Sequence, residues 1–179
     1  MNHPKISTKS NHAVVRFGLW LYHAHLMLDQ PPMSLSANGL TISVLVSQYH
    51  AEITNRLVDG AKQAFLAAGG SEDLLKIIPV SGAWELPVVA ASLTKQDDLD
   101  AIVTLGCIIS GETTHDRVIA DAIAHGLMQI ATTWVKPISI GIITCQTIEQ
   151  ANARSGGTCG NKGVEAMNAA ISTHNVIFK

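Results

Sequence analysis

The sequence predicts an α/β protein, a three-layer α/β/α sandwich around a central, mainly parallel four-stranded sheet. Three observations lead there. Strand-like and helix-like segments alternate from Thr41 to the C-terminus. The strand-like segments are almost continuously apolar, as strands covered on both faces must be. The segments between them repeat apolar residues at spacings of three and four, which suits right-handed helical crossovers.

In chain order, the β-branched run Ile42 to Val46 predicts a buried strand. Ile53, Leu57, Val58, Ala61, Ala64, Phe65 and Ala68 then mark one face of a helix that Gly69-Gly70 closes. Ile77 to Val80 is the second strand. Gly82-Ala83-Trp84-Glu85-Leu86-Pro87 leads into a helix through Leu93, with Pro87 tolerated in its first turn. Ala101 to Leu105 is the third strand, a helix follows from about Thr114 to Trp134, and Ile138 to Thr144 is the fourth strand. Helices near 147–154 and 162–173 end the chain. This order makes the sandwich flavodoxin-like, and a single domain accounts for residues 41–179.

Composition narrows the function. Of 179 residues, 47% are hydrophobic and 15% charged, against about 25% charged in an average soluble domain. Mean hydropathy is +0.24. Such a chain must place apolar surface in a membrane or in contacts between subunits. A balance of 12 basic and 14 acidic residues, net −2, excludes a strongly basic nucleic-acid binder. Cys107, Cys145 and Cys159 form no CxxC or CxxH pair, so neither a disulfide scaffold nor a metal site is expected. The odd count fits the cytoplasm.

Residues 1–40 read as an N-terminal extension. Lys5, Lys9 and Arg16 precede an apolar stretch from Phe17 to Leu28, which resembles a signal peptide in outline. His23 and His25 interrupt it, no small-x-small cleavage site follows, and it is too short to span a bilayer. Two other readings stand beside it: a start at Met33, or an ordered peripheral segment.

Ligands of open α/β folds bind beyond the carboxyl ends of the strands, which directs attention to four loops. The third reads Gly106-Cys107-Ile108-Ile109-Ser110-Gly111-Glu112-Thr113-Thr114-His115. Its glycines match the spacing of GxxxxGK[ST], but Glu112 replaces the lysine and opposes a nucleotide's terminal phosphates. A smaller phosphate held by backbone N–H groups at the helix start is compatible; a plain tight turn is the other reading. His115 opens that helix, where it can move protons, although a single histidine is more often structural or solvated. Arg154, before the glycine-rich stretch 155–163, suits either a phosphate clamp or a helix C-terminus. Tyr49 and Trp84 follow two different strands and can stack on a planar heterocycle or pack at a rim.

Taken in order, Gly82 to Pro87, Leu105 to His115, Glu149-Gln150-Ala151, Arg154 and Gly160 to Ala166 resemble the lumazine synthases of riboflavin biosynthesis. The resemblance runs from about Thr41 to the C-terminus. It implies a transferase that condenses 5-amino-6-(D-ribitylamino)uracil with 3,4-dihydroxy-2-butanone 4-phosphate to 6,7-dimethyl-8-ribityllumazine, releasing phosphate and water, with no cofactor and no metal. By the same resemblance, His115 is the proton-transferring residue, and Glu112, Thr113 and Arg154 bind the phosphate. Tyr49, Ala83, Trp84, Glu85, Cys107, Ile108, Ile109 and Ile140 contact the ribitylaminouracil. A neighbouring subunit supplies Ile140, and Lys162 adds positive charge at that junction.

The chain departs from the family pattern in several places. Asp116 and Arg117 follow the histidine, where an aromatic and then an acid are common. Asp116 is placed to orient His115. Ile140 stands where an aromatic is usual, leaving one stacking wall, and Tyr49 replaces phenylalanine or tryptophan.

The resemblance further implies a homopentamer with sites between neighbours and, from the short turn after Arg154, an icosahedral assembly of pentamers. Riboflavin synthase is an additional partner it suggests. A membrane is not expected, because buried subunit contacts absorb the apolar surface. The alternatives are an inactive shell-forming homologue, an archaeal-type riboflavin synthase and an unrelated phosphosugar or nucleotide binder. Intact His115, Arg154 and Glu85 count against the first. Arg154 with the Gly111 loop counts against the second, while Glu112 and the lack of GxGxxG count against the third.

Overall fold

The computed structural model describes residues 35–178. The histidine pair at 23 and 25 and the proposed start at Met33 lie outside that range. The sheet contains β1 (Ile42–Ser47), β2 (Leu75–Val80), β3 (Ala101–Ile109) and β4 (Ile138–Cys145), in the order β2-β1-β3-β4. All its pairings are parallel. The α/β/α expectation holds, and the sheet is wholly rather than mainly parallel.

The helices are α1 (Ala51–Ala67), α2 (Leu86–Leu93), α3 (His115–Trp134), α4 (Ile148–Arg154) and α5 (Lys162–Ile177). They cover the sheet in two layers because successive strand residues face opposite sides. Val44 and Val46 pack with Leu57 and Phe65 of α1 and Met167 and Ile171 of α5. Leu45, between them, packs with Leu86 and Ala90 of α2 and Ile123 and Leu127 of α3. Residues 35–40 contribute to the first layer, where Ala37 and Leu40 are buried. The Ala37 N–H donates to Ala68 O at 2.8 Å, and Asn175 Nδ2 to Ser36 O at 3.1 Å.

Pro79 lies in β2 opposite Val46. That strand is at the sheet edge, where a residue without an N–H is tolerated. The start of α5 approaches α1 closely. A Cβ on Gly163 would lie 1.9 Å from Leu57 O.

The main departures from expectation lie at the end of β3 and after Arg154. β3 continues to Ile109 instead of ending at Leu105, so Gly106 pairs within the sheet opposite Ile142. The apolar run Cys107-Ile108-Ile109 keeps the strand going, and of the two spaced glycines only Gly111 belongs to the turn. A short antiparallel hairpin, β5 (Ser155–Gly157) with β6 (Gly160–Asn161), was also not legible. Its glycines provide the left-handed backbone at Gly156, φ 112°, and Gly160, φ 78°. No helix among the described residues is long and apolar enough to cross a membrane.

Candidate active site

Beyond the carboxyl ends of β1, β2 and β3 lies a cavity of about 580 Å³. Tyr49, Ala83, Trp84, Glu85, Cys107, Ile108, Ile109, Thr113 and His115 all line it. Each arrives by a separate local device. β1 ends at Ser47, and His50, at φ 56° and ψ 52°, turns the chain into α1. Its carbonyl accepts from the N–H groups of Ile53 and Thr54. That left-handed residue leaves Tyr49 on the rim, 68% exposed.

After β2, a single 3₁₀ turn over Ala83–Glu85 precedes α2, with Pro87 in the first turn of the helix. The turn leaves Trp84 56% exposed and brings Glu85, like Tyr49, against Gly82. Gly82 shows how tightly these two meet. A Cβ there would lie 2.9 Å from Glu85 Oε2 and 3.3 Å from Tyr49 Cε2. The result is an aromatic face beside a carboxylate, suited to a planar ring carrying hydroxyl groups.

The end of β3 forms the floor. Burial, followed by the neighbouring Cys145, raises the Cys107 thiol to about 12. It is therefore neutral at ordinary pH, an apolar surface rather than a nucleophile. Thr113 and His115 lie at the start of α3. The cap residue Thr114 makes no side-chain capping bond; of the first-turn N–H groups, that of His115 donates to Thr113 Oγ1 at 3.4 Å and that of Arg117 to Thr114 O at 3.2 Å. Glu112 is exposed beside the cavity without lining it. The His115 imidazole makes no hydrogen bond among the described residues, and Asp116 accepts a bond from Ser110 Oγ instead. Asp116 thus does not orient His115 by hydrogen bonding.

The remaining predicted residues lie elsewhere. Arg154 and Lys162 line a second cavity of about 370 Å³, with Thr144 and Cys145 of β4, Gln150, Ala153 and Cys159. Arg56 of α1 fixes this corner by donating from Nε to Ser155 Oγ at 3.1 Å and also to Asn152. Asn161 joins the same corner. Its Oδ1 accepts from the Gly163 N–H at 2.8 Å, capping α5, while its Nδ2 donates to Arg56 O at 2.8 Å. Lys162 pairs with Glu165 at 2.7 Å. Ile140 is 47% exposed on the edge strand β4 and lines neither cavity. The fold therefore assembles the aromatic, carboxylate and histidine groups in one place and presents the cations in another.

Ser47, His50, Ser81 and Ile119, to which the sequence assigned no role, and Asp116, expected there to orient His115, also line the larger cavity. Ser47 ends the first strand and His50 follows it, and that position was the available signal.

An open parallel sheet with a heterocycle-sized cavity at its carboxyl ends, lined by a helix start and its histidine, defines a small-molecule enzyme of the flavodoxin-like class. Residues 39–177 match the profile of the family described as 6,7-dimethyl-8-ribityllumazine synthase. Proteins named 6,7-dimethyl-8-ribityllumazine synthase are similar over most of their length. The one from Aquifex aeolicus is 39% identical over 145 residues, 81% of this chain and 94% of the relative. Those from Stenotrophomonas maltophilia and Thermus thermophilus are 42% and 40% identical, covering 75% and 76% of this chain and 87% of each relative. The chain belongs to the lumazine synthase family.

Proposed function

We propose that this protein condenses 5-amino-6-(D-ribitylamino)uracil with 3,4-dihydroxy-2-butanone 4-phosphate to give 6,7-dimethyl-8-ribityllumazine, phosphate and water. The observation that carries the reading is the larger cavity, whose groups match both substrates. Tyr49 stacks on the pyrimidine, the Glu85 carboxylate accepts from ribityl hydroxyls, and Ala83, Trp84, Cys107, Ile108 and Ile109 enclose the ring. The N–H groups of Glu112 and Thr113 in the turn before α3 receive the phosphate, and His115 transfers protons as the amine adds, phosphate leaves and the ring closes. Holding two substrates together in the right orientation supplies most of the acceleration.

Arg154 completes the phosphate site from a neighbouring copy. The separation of its cavity from that of His115 within one chain supports this arrangement, with Ile140 and Lys162 at the same junction. The exposed apolar side chains of α2 and α3 support extensive contact between copies. Val88 is 67%, Val118 59% and Met128 65% exposed, a concentration that marks an interface. We place the protein in the cytoplasm as a homopentamer, with pentamers closing into an icosahedral shell. Light scattering tests the assembly: a stable monomer would remove it.

Mixing purified protein with both substrates is expected to produce the fluorescent lumazine with one phosphate per product. No product at saturating substrate would overturn the assignment. His115→Ala is expected to reduce kcat by roughly tenfold, below the ~10²–10⁴ typical of general acid–base groups, because orientation remains intact. Gly82→Ala is expected to raise KM for the ribitylaminouracil about tenfold. The added methyl displaces Glu85 and Tyr49 together, and unchanged kinetics would separate those residues from the substrate.

A further inference from the structure

We propose that Ser110 and Asp116 form a clasp that positions the turn 111–114 for the phosphorylated substrate. The proposal rests on the reading that this turn receives the phosphate, and it adds two positioning residues to that site.

The turn leaves β3 and enters α3 within a few residues. Its entrance is tied to the sheet, because the Ser110 N–H donates to Cys145 O of β4 at 2.8 Å. Its exit is tied back to its entrance, because Ser110 Oγ donates to Asp116 Oδ2 at 2.7 Å. One residue thus connects the end of the sheet to the first turn of the helix. Packing contributes little between these points. Residues 110–115 are exposed, and a Cβ on Gly111 would meet nothing within 4 Å. The other side-chain bond within the turn is weak, from the His115 N–H to Thr113 Oγ1 at 3.4 Å.

An unpacked turn explores many backbone arrangements, and only those that converge its N–H groups bind an anion well. The clasp selects among them before substrate arrives. The Asp116 carboxyl is held below its ordinary range, chiefly by the Ser110 hydrogen bond. It therefore remains an ionised acceptor at neutral pH.

The test compares Ser110→Ala, Asp116→Ala and the double variant in steady-state kinetics. Each single change is expected to raise KM for the butanone phosphate about fivefold, the effect of one lost hydrogen bond. The double variant should be no worse than either single one, because both remove the same contact. KM for the ribitylaminouracil and kcat should stay within about twofold, a split that general loosening would not produce. Ser110→Thr, which keeps the hydroxyl, and Asp116→Asn, which keeps an acceptor oxygen, should restore KM. An unchanged KM, additive effects, or Asp116→Asn behaving like Asp116→Ala would overturn the clasp. Calorimetric binding of inorganic phosphate to wild-type and variant assemblies separates the two readings. If the wild-type protein makes no lumazine yet binds phosphate more tightly than Ser110→Ala, the functional assignment fails and the clasp stands.

Discussion

Arg154→Ala is expected to lower kcat/KM for 3,4-dihydroxy-2-butanone 4-phosphate by about 100-fold, mainly through KM. A guanidinium forks onto two phosphate oxygens at once, and losing one member of such a charge pair is costly. The backbone beside Arg154 is anchored. Arg56, Ser155 and Asn161 hold the backbone on its C-terminal side through hydrogen bonds that cross from α1 to the hairpin. The effect should exceed that of His115→Ala, since positioning contributes more than proton transfer in this reaction. Arg154→Lys should recover only part of the loss, because an ammonium keeps the charge without the fork. KM for the ribitylaminouracil is expected to change little. Steady-state kinetics with each substrate varied in turn would show this, and a silent Arg154→Ala would remove the phosphate assignment.

Gly163→Ala is expected to be the most damaging single methyl. The new Cβ would stand 1.9 Å from Leu57 O and 2.7 Å from Leu57 C, both backbone atoms in the middle of α1. No side-chain rotation relieves that contact, so α1 and α5 must separate. The layer between them contains Leu57, Phe65, Met167 and Ile171, all fully buried. Overpacking of this kind costs about 3 kcal/mol, which in a chain of this size lowers the melting temperature by roughly 10 °C. Activity should fall with stability, since Asn161 directly precedes the displaced helix and the short hairpin links it to Arg154. Gly111→Ala is the control for stability, because its Cβ would enter open space. Equal melting temperatures for the two variants would show that the close approach of α5 to α1 is not needed.

The layered architecture was readable because the sheet is buried on both faces. Val44, Leu45 and Val46 form a continuous apolar run, and helices with apolar stripes separate such runs. Boundaries were less readable where no residue type enforces a stop. Cys107-Ile108-Ile109 is as strand-like as the residues before Gly106, and glycine within a strand is no punctuation by itself. The hairpin after Arg154 was hidden because its strands are two and three residues long and mostly glycine.

The site was legible to the extent that it follows strand ends. Tyr49, Glu85 and His115 each lie just beyond one. Ser110 and Asp116 were not legible as a pair, because nothing in the intervening turn announces that its two ends meet. The separation of Arg154 from His115 was equally hidden. Both follow strands in sequence, but β4 is the edge strand and carries its loop to a different cavity.

That separation makes the central claim testable: one catalytic centre draws the His115 cavity from one copy and Arg154 from its neighbour. The direct measurement is to unfold His115→Ala and Arg154→Ala proteins together, reassemble them as mixed oligomers, and assay lumazine formation. If the site is shared, about a quarter of the interfaces pair an intact cavity with an intact arginine. Activity should then rise well above the mean of the two parent variants. Activity no higher than that mean would contradict the shared site and return Arg154 to the histidine of its own chain.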